Sequence, residues 1–214
     1  MMTSNPDSNI EAVKSDPVEP DVDDLVRRAQ GGEAEAFDAL VRIFSQRMYS
    51  LAYRMVGNHA DASDLAQEIF IKLHKSIGKF TWKSSFSTWL YAVGSNTCRS
   101  GLRKIKRVSQ REVVRLDREG DDERKPPEPQ DPGDLPPEQM GRAELSASIQ
   151  AAIDSLPEDF RMIVILRDVQ NLSYEEVAEV LNCSMGTVKS RLARARTKLK
   201  DKLIRQGLVC AAKT

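Results

Sequence analysis

The sequence predicts an all-α protein of two small helical domains joined by a flexible linker, and three observations carry that prediction. Apolar residues recur at three- and four-residue spacing wherever they cluster, the period of a helix with one buried face. Strand signals are absent throughout. Between Val108 and Pro137 the composition changes: six of the ten prolines lie there, and nine acids fall between Asp117 and Glu138. Such a stretch has too little apolar material to fold by itself and is extended by its own charge.

Residues 1–20 hold three prolines, several acids and few apolar residues, the composition of a disordered tail. Structure is expected from Asp21. Leu25, Val26 and Ala29 form a first short stripe, which Gly31-Gly32 ends. Ala36, Phe37, Leu40, Val41 and Phe44 begin a second that continues through Met48, Leu51, Ala52, Met55 and Val56 to Gly57-Asn58. A third helix runs from His59 or Ala60 to Ile77, with Leu65, Ile69, Leu73 and Ile77 inward, flanked by Ala62, Ala66 and Phe70. Its other side carries Asp61, Asp64, Gln67, Glu68 and Lys72, acidic where the helix dipole favours acids, and by itself this is an ordinary solvated face.

Gly78 to Ser87 is a polar loop in which Phe80, Trp82 and Phe86 are interleaved with Lys79 and Lys83. Such aromatics either stack on unpaired bases, with the cations on phosphates, or anchor the loop to its own domain; composition does not separate the two. The next helix, Thr88 to about Lys106, turns Trp89, Leu90, Val93, Thr97 and Leu102 inward and ends in a basic patch. Gly101 within it costs roughly 1 kcal/mol relative to Ala, so a bend or fraying is expected there. The acidic tether follows, and when DNA is absent it is a candidate occupant of the DNA path. Beyond it, Leu145, Ile149, Ala152, Ile153 and Leu156 mark one helix. Pro157-Glu158-Asp159 starts another that carries Phe160, Ile163, Val164, Leu166 and Val169 and closes at Asn171.

Leu172 to Leu203 reads as a helix-turn-helix. Ser173 and Glu176 form a capping box, and Val177, Ala178, Val180 and Leu181 give the first helix its apolar face. Ser184 caps the second, in which Val188, Leu192, Ala195 and Leu199 face inward. The opposite side presents Gly186, Thr187, Ser190, Ala193, Arg194 and Thr197, flanked by Lys189, Arg191, Arg196 and Lys198. Small residues let the first turn approach a duplex, and Arg or Lys reach guanine edges or phosphates. A cationic amphipathic helix also suits a membrane surface or an acidic partner. The capping box, short turn and cation placement together favour DNA.

Formal charge is balanced, 32 basic against 32 acidic side chains, so the distribution matters more than the net value. Leu102 to Arg111 holds Arg103, Lys104, Lys106, Arg107 and Arg111 without an acid. Lys189 to Arg205 holds eight cations against Asp201 alone, so the chain has two basic patches. No run of about 18 apolar residues and no apolar signal core is present, from which a soluble, cytoplasmic protein without membrane insertion is expected. Cys98, Cys183 and Cys210 have no metal-ligand spacing and cannot all pair with one another, which fits reduced thiols. Cys183 beside the helix-turn-helix reads as packing before a redox switch. His59 and His74 form no ligand set with cysteine, and no Gly-rich phosphate loop occurs. No catalytic residue, metal or cofactor is therefore expected, and a nucleic-acid enzyme is poorly supported.

The ordered motifs resemble those of the bacterial extracytoplasmic-function (group 4) sigma factors of the sigma-70 family. In the first half they are Asp61-Ala62-Ser63-Asp64-Leu65-Ala66-Gln67-Glu68-Ile69-Phe70, then Phe86-Ser87-Thr88-Trp89-Leu90-Tyr91, then Asn96-Thr97-Cys98-Arg99 with Leu102 to Arg107. In the second they are Leu156-Pro157-Glu158-Asp159-Phe160-Arg161, Leu172-Ser173-Tyr174-Glu175-Glu176-Val177-Ala178 and Gly186-Thr187-Val188-Lys189-Ser190-Arg191.

The resemblance implies a sigma-2-like domain over 21–107, a linker over 108–138 and a sigma-4-like helix-turn-helix domain over 139–214. It implies a promoter-specificity subunit of RNA polymerase, without enzymatic activity, that binds promoter DNA and is held by an anti-sigma factor. The clamp of the polymerase β′ subunit would meet Asp61, Asp64, Leu65, Gln67, Glu68 and Phe70. The −10 element would meet Phe80, Trp82, Lys83, Ser85, Trp89, Tyr91, Asn96, Arg99, Arg103, Lys104, Lys106 and Arg107. The −35 duplex would meet Ser184, Gly186, Thr187, Lys189, Ser190, Arg191, Arg194 and Lys198.

The chain departs from the family pattern at Ser63, where an acid is usual, and at Ser100-Gly101. It departs again at Phe80-Thr81-Trp82-Lys83, where the family usually has Phe-Arg-Gly-acid, so shape and charge change where a flipped base would sit. A stand-alone helix-turn-helix activator or repressor is the alternative; it explains Leu172 to Leu203 but not the aromatic loop or the first basic patch.

Overall fold

The protein is described here by a computed structural model over residues 21–116 and 137–208; the expected tail and most of the acidic tether, with its suggested place on a DNA path, lie outside the described residues. Among the described residues every regular element is helical: α1 Val22–Gln30, α2 Ala34–Val56, α3 His59–Ser76, α4 Phe86–Leu116, α5 Pro137–Asp154, α6 Glu158–Val164, α7 Tyr174–Val180 and α8 Met185–Arg205. A 3-10 turn, Ile77–Lys79, follows α3, and a π turn, Ile165–Val169, continues α6.

Local chemistry sets the ends. Asp21 caps α1 by accepting from the Asp23 amide at 3.0 Å, and Asn58 caps α3 by accepting from the Asp61 amide at 2.9 Å. Gly57 ends α2 at φ 83°, a left-handed conformation in which a side chain would be strained. At α7 both arms of the capping box are made, Glu176 amide to Ser173 Oγ at 3.1 Å and Ser173 amide to Glu176 Oε2 at 2.7 Å. Ser173→Ala should therefore lower unfolding stability by about 1 kcal/mol, read by urea denaturation of the full chain. An unchanged midpoint would show that packing alone holds the start of α7.

In the first half α2 is the central helix: Leu40, Phe44, Met48, Leu51 and Met55 are buried against Leu65, Ile69 and Leu73 of α3 and Leu90, Cys98 and Leu102 of α4. Full burial of each large aliphatic side chain contributes roughly 1.5–3 kcal/mol. The helix does not fray at Gly101, for α4 runs through it as continuous helix. The glycine has a packing reason instead, since a Cβ there would lie 2.3 Å from Leu65 Cδ2. Helix α4 also starts two residues earlier than expected and continues ten residues beyond Lys106. Ser85 Oγ takes the Thr88 amide at 3.0 Å, which fixes the start, and no proline or glycine interrupts the chain from Leu102 to Glu119.

Burial pushes the Cys98 thiol up to about 12. Cys98 should resist iodoacetamide at neutral pH in the folded chain and react fully in denaturant, as mass spectrometry would read. Native labelling at the denatured rate would contradict its burial.

In the second half Ile153, Leu156, Met162, Ile163, Ile165 and Leu166 join Val177, Val188, Leu192 and Ala195 in the core. Leu145, expected to face inward, is 46% exposed. Over 145–154 burial is reached only at Gln150, Ala152 and Ile153, with Ile149 partly buried against the core.

The two halves pack against one another. Gln150, 4% exposed, donates through Nε2 to Arg54 O at 3.3 Å and accepts from Arg54 Nη1 at 3.0 Å. Arg161, 6% exposed, donates through Nη1 to Met55 O at 2.6 Å, lies 3.1 Å from Asp154 Oδ1, and donates through Nη2 to Asp154 O. Side chains of the second half thus satisfy carbonyls that α2 leaves open at its C-terminus. Burial raises the Asp154 pKa and lowers that of Arg161, so each ion is held by its neighbour at a desolvation cost.

Candidate nucleic-acid interface

On α8, Ser184 accepts from the Thr187 amide at 3.2 Å and exchanges a hydroxyl bond with Thr187 at 2.9 Å, so the first turn is held by its own small side chains. Val188, Leu192 and Ala195 are buried, which turns Ser184, Gly186, Lys189, Ser190, Arg194 and Lys198 to the exposed side, with Thr187 and Arg191 half-buried at its edge. Lys189 Nζ lies 5.9 Å and Arg167 5.0 Å from the Tyr174 ring, a cation pair about one aromatic that ties α7 to α8. Arg196 differs from its neighbours. Its Nε donates to Asp168 Oδ2 at 3.1 Å and the two side chains form an ion pair, raising the arginine's pKa. The remaining cations of the face have no ion-pair partner among the described residues.

The aromatic loop is built on two buried rings. Phe80 and Phe86 lie in the core 5.8 Å apart, and Gln30 Nε2 pins the loop by donating to Ile77 O at 3.0 Å and Phe80 O at 2.9 Å. Trp82 stands on this base, 5.0 Å from Phe80, and is 39% exposed. Its φ of 62° is the left-handed conformation that glycine takes most readily, and the Arg27 guanidinium lies 4.8 Å from its ring. Trp89 is half-buried 5.2 Å from Phe80, and Lys83 and Ser85 are exposed.

Phe80 and Tyr91, both expected at the −10 element, are buried in this conformation: Phe80 anchors the loop, and Tyr91, 2% exposed, donates its hydroxyl to Gln170 Oε1 at 2.9 Å. Farther along α4, Asn96, Arg103, Lys104, Lys106 and Arg107 are exposed and Arg99 is half-buried. Arg99 Nη2 donates to Asp159 Oδ1 at 3.2 Å and Arg103 Nη2 to Glu158 Oε1 at 3.3 Å. Arg27 and Gln30 escaped the sequence reading because only the tertiary fold brings α1 beside the loop; nothing in their spacing marks them.

Across the molecule, Asp61, Asp64 and Glu68 line a groove of about 370 Å³ between α3 and α4, with Leu65, Gly101, Lys104, Ile105 and Val108. Asp61 is tied to Asn58, and Glu68 to Lys72 at 2.7 Å; Asp64 and Gln67 are exposed. Leu65 is buried and Phe70 half-buried against the core, so their first task is packing. Acid walls around an apolar floor suit a partner with cations and an apolar ridge. Among the described residues no cluster of metal-ligating side chains occurs, and no helix is long and apolar enough to cross a membrane.

Comparison with known proteins gives matches that follow these two halves. The family description Sigma-70 region 2 matches residues 40–108, and Sigma-70, region 4 matches residues 146–199. The RNA polymerase sigma-H factor of Pseudomonas aeruginosa is 39% identical over 176 residues, covering 80% of this chain and 88% of its own. The ECF RNA polymerase sigma factor SigW of Bacillus subtilis is 34% identical over 187 residues, covering 83% and 94%. Among solved structures, CnrH in complex with the cytosolic domain of CnrY aligns with a TM-score of 0.64 at 23% identity over 86% of this chain and 99% of that one, a likeness of fold. The sigma factor RpoE in complex with the anti-sigma factor NepR from Bartonella quintana aligns with a TM-score of 0.58 at 26% identity, over 79% and 98%.

Proposed function

From the premise that the chain belongs to the extracytoplasmic-function sigma factors of the sigma-70 family, we propose that its two halves divide one promoter between them, a melted strand for the first and an intact duplex for the second. The chain is a promoter-specificity subunit for transcription initiation. The observation that carries the division is the coincidence of each matched region with one of the two basic surfaces.

A duplex is read in its major groove by a helix, and the exposed face of α8 from Ser184 to Lys198 supports that task. An opened strand must be held by stacking and by cations along its phosphates. The Trp82 ring with Lys83, Trp89 and the exposed cations of α4 supply both. Unstacking costs a few kcal/mol per base, which capture of the base and phosphate contacts offsets, so the chain needs no hydrolytic or covalent step. The acid-walled groove between α3 and α4 supports docking on the polymerase β′ clamp, and the place of action is the cytoplasm. The likeness to RpoE bound to NepR supports an anti-sigma factor as the protein that holds this chain inactive.

Permanganate reactivity of promoter thymines tests the strand-capture half. With core polymerase and this chain, thymines of the −10 element should become reactive. Trp82→Ala should weaken opening by about 1–3 kcal/mol, the worth of one stacked base. Equal reactivity for the two proteins would remove Trp82 from capture.

A further inference from the structure

We infer that Arg27 of α1 is a specificity-determining residue of the aromatic loop: its guanidinium, held over the Trp82 indole, reads the carbonyl edge of a guanine stacked on that ring. The inference rests on the proposed capture of an opened strand by Trp82. Arg27 lies outside residues 40–108, the stretch that the Sigma-70 region 2 description matches, so the family match assigns it nothing. Arg27 and Arg28 are neighbours with different commitments. Arg28 Nε donates to Glu33 Oε2 at 2.9 Å and Arg28 Nη1 to Asp24 Oδ2 at 3.4 Å, so that guanidinium is spent on acids. Arg27 is exposed and has no ion-pair or side-chain hydrogen-bond partner among the described residues; its guanidinium lies 4.8 Å from the Trp82 ring instead. A guanidinium on an aromatic ring is held by its charge and its flat face, which leaves the N–H groups around its edge free to donate.

Helix α1 is fixed to the loop by a second contact. Gln30, one turn after Arg27 on the same side of the helix, donates through Nε2 to Ile77 O at 3.0 Å and to Phe80 O at 2.9 Å. The register between α1 and the loop is therefore set before a strand arrives. Trp82 stands on Phe80 with ring centres 5.0 Å apart, in a left-handed backbone at φ 62°, and keeps part of its indole exposed. A base stacked on that exposed part turns an edge toward Arg27. Guanine presents two acceptors there, O6 and N7, which an arginine takes as a pair; adenine sets an amino donor beside N7 and meets the guanidinium donor to donor. The loop from Gly78 to Ser87 contains no acid and carries Lys79 and Lys83. It thus offers no carboxylate to the amino group of adenine or cytosine, and none to draw Arg27 off the ring. A purine also covers more of the indole than a pyrimidine does, which favours guanine over thymine.

The test uses core polymerase loaded with the full chain. The probes are fragments of a promoter mapped by its start site, with the −10 non-template strand left unpaired and each of its positions carrying in turn guanine, adenine or deazaguanine, which lacks the N7 acceptor. With the wild-type chain one position should favour guanine over adenine by about tenfold in equilibrium competition, as a paired arginine contact does, and deazaguanine should lose most of that gain. Arg27→Ala, and Arg27→Met, which keeps an apolar stem over the ring, should both bring guanine down to the level of adenine. If no position prefers guanine, or if both variants weaken every fragment by one common factor, Arg27 only steadies the loop or attracts the backbone, and the inference fails. Trp82→Ala distinguishes the reading beneath it. Should it leave every fragment bound as before, strand capture by the loop has failed and the inference falls with it. Should it weaken all fragments while the Arg27 variants keep the guanine preference, capture stands and the inference alone is overturned.

Discussion

Asp64→Arg should abolish association with core RNA polymerase, lowering affinity by more than about a hundredfold, because a like charge set against a basic partner costs several kcal/mol and each 1.4 kcal/mol is tenfold. Asp64 is exposed on α3 and lines the groove with Glu68 and Lys104. The new guanidinium would stand beside Lys104 and invert the sign of that wall. No buried contact is lost, so the melting temperature should hold, and α8 on the far half should still bind duplex DNA. Size-exclusion co-migration with core polymerase reads the result. Retained co-migration at wild-type affinity would mean that this face is only solvated.

Lys189→Ala with Arg194→Ala should weaken binding of the full chain to a −35 duplex by roughly 2–6 kcal/mol if each loses about 1–3 and the two add. Both side chains are exposed on α8, and neither has an ion-pair partner among the described residues. Arg196 is the internal control. Committed to Asp168, it should matter less to the duplex and more to the packing of the π turn against α8. Fluorescence anisotropy with a −35 duplex and with a scrambled duplex separates readout from phosphate attraction. Loss on both sequences alike would make the two cations phosphate contacts.

Most of the helices were legible because their ends are written in local chemistry. Ser173 and Glu176, Asn58, Gly57 and Pro157 each act within four residues, and the apolar stripes of α2, α3 and α8 repeat long enough to fix a face. What depends on distant residues was not legible. Gly101 looks like a helix defect until Leu65 is set against it, and Leu145 looks like core although it stands exposed on α5. The π turn at Ile165–Val169 leaves no mark in a short apolar run.

The same division holds for the candidate site. The exposed face of α8 follows from periodicity alone, and the sequence reading of Ser184, Lys189, Ser190 and Arg194 agrees with their exposure. Around the aromatic loop, sequence left stacking and anchoring open; in the fold Phe80 and Phe86 are buried anchors, and Trp82 stands on them partly exposed. That a tryptophan occupies a left-handed position usual for glycine was visible only as a departure from the family pattern; the neighbour that stacks on it, Arg27, belongs to α1. The ion pairs of Arg99 and Arg103 with Asp159 and Glu158 join residues 55 to 60 positions apart, beyond the reach of any local rule.

Run-off transcription with purified core polymerase, with and without the full chain, on a template whose start site was mapped after overexpression of the protein, bears most directly on promoter selection by this chain. Transcripts of one defined length should appear only when the chain is present, and should disappear when either promoter element is scrambled. Tight duplex binding by the chain alone, with core polymerase transcribing no differently in its presence, would contradict that role and leave a stand-alone helix-turn-helix regulator in its place.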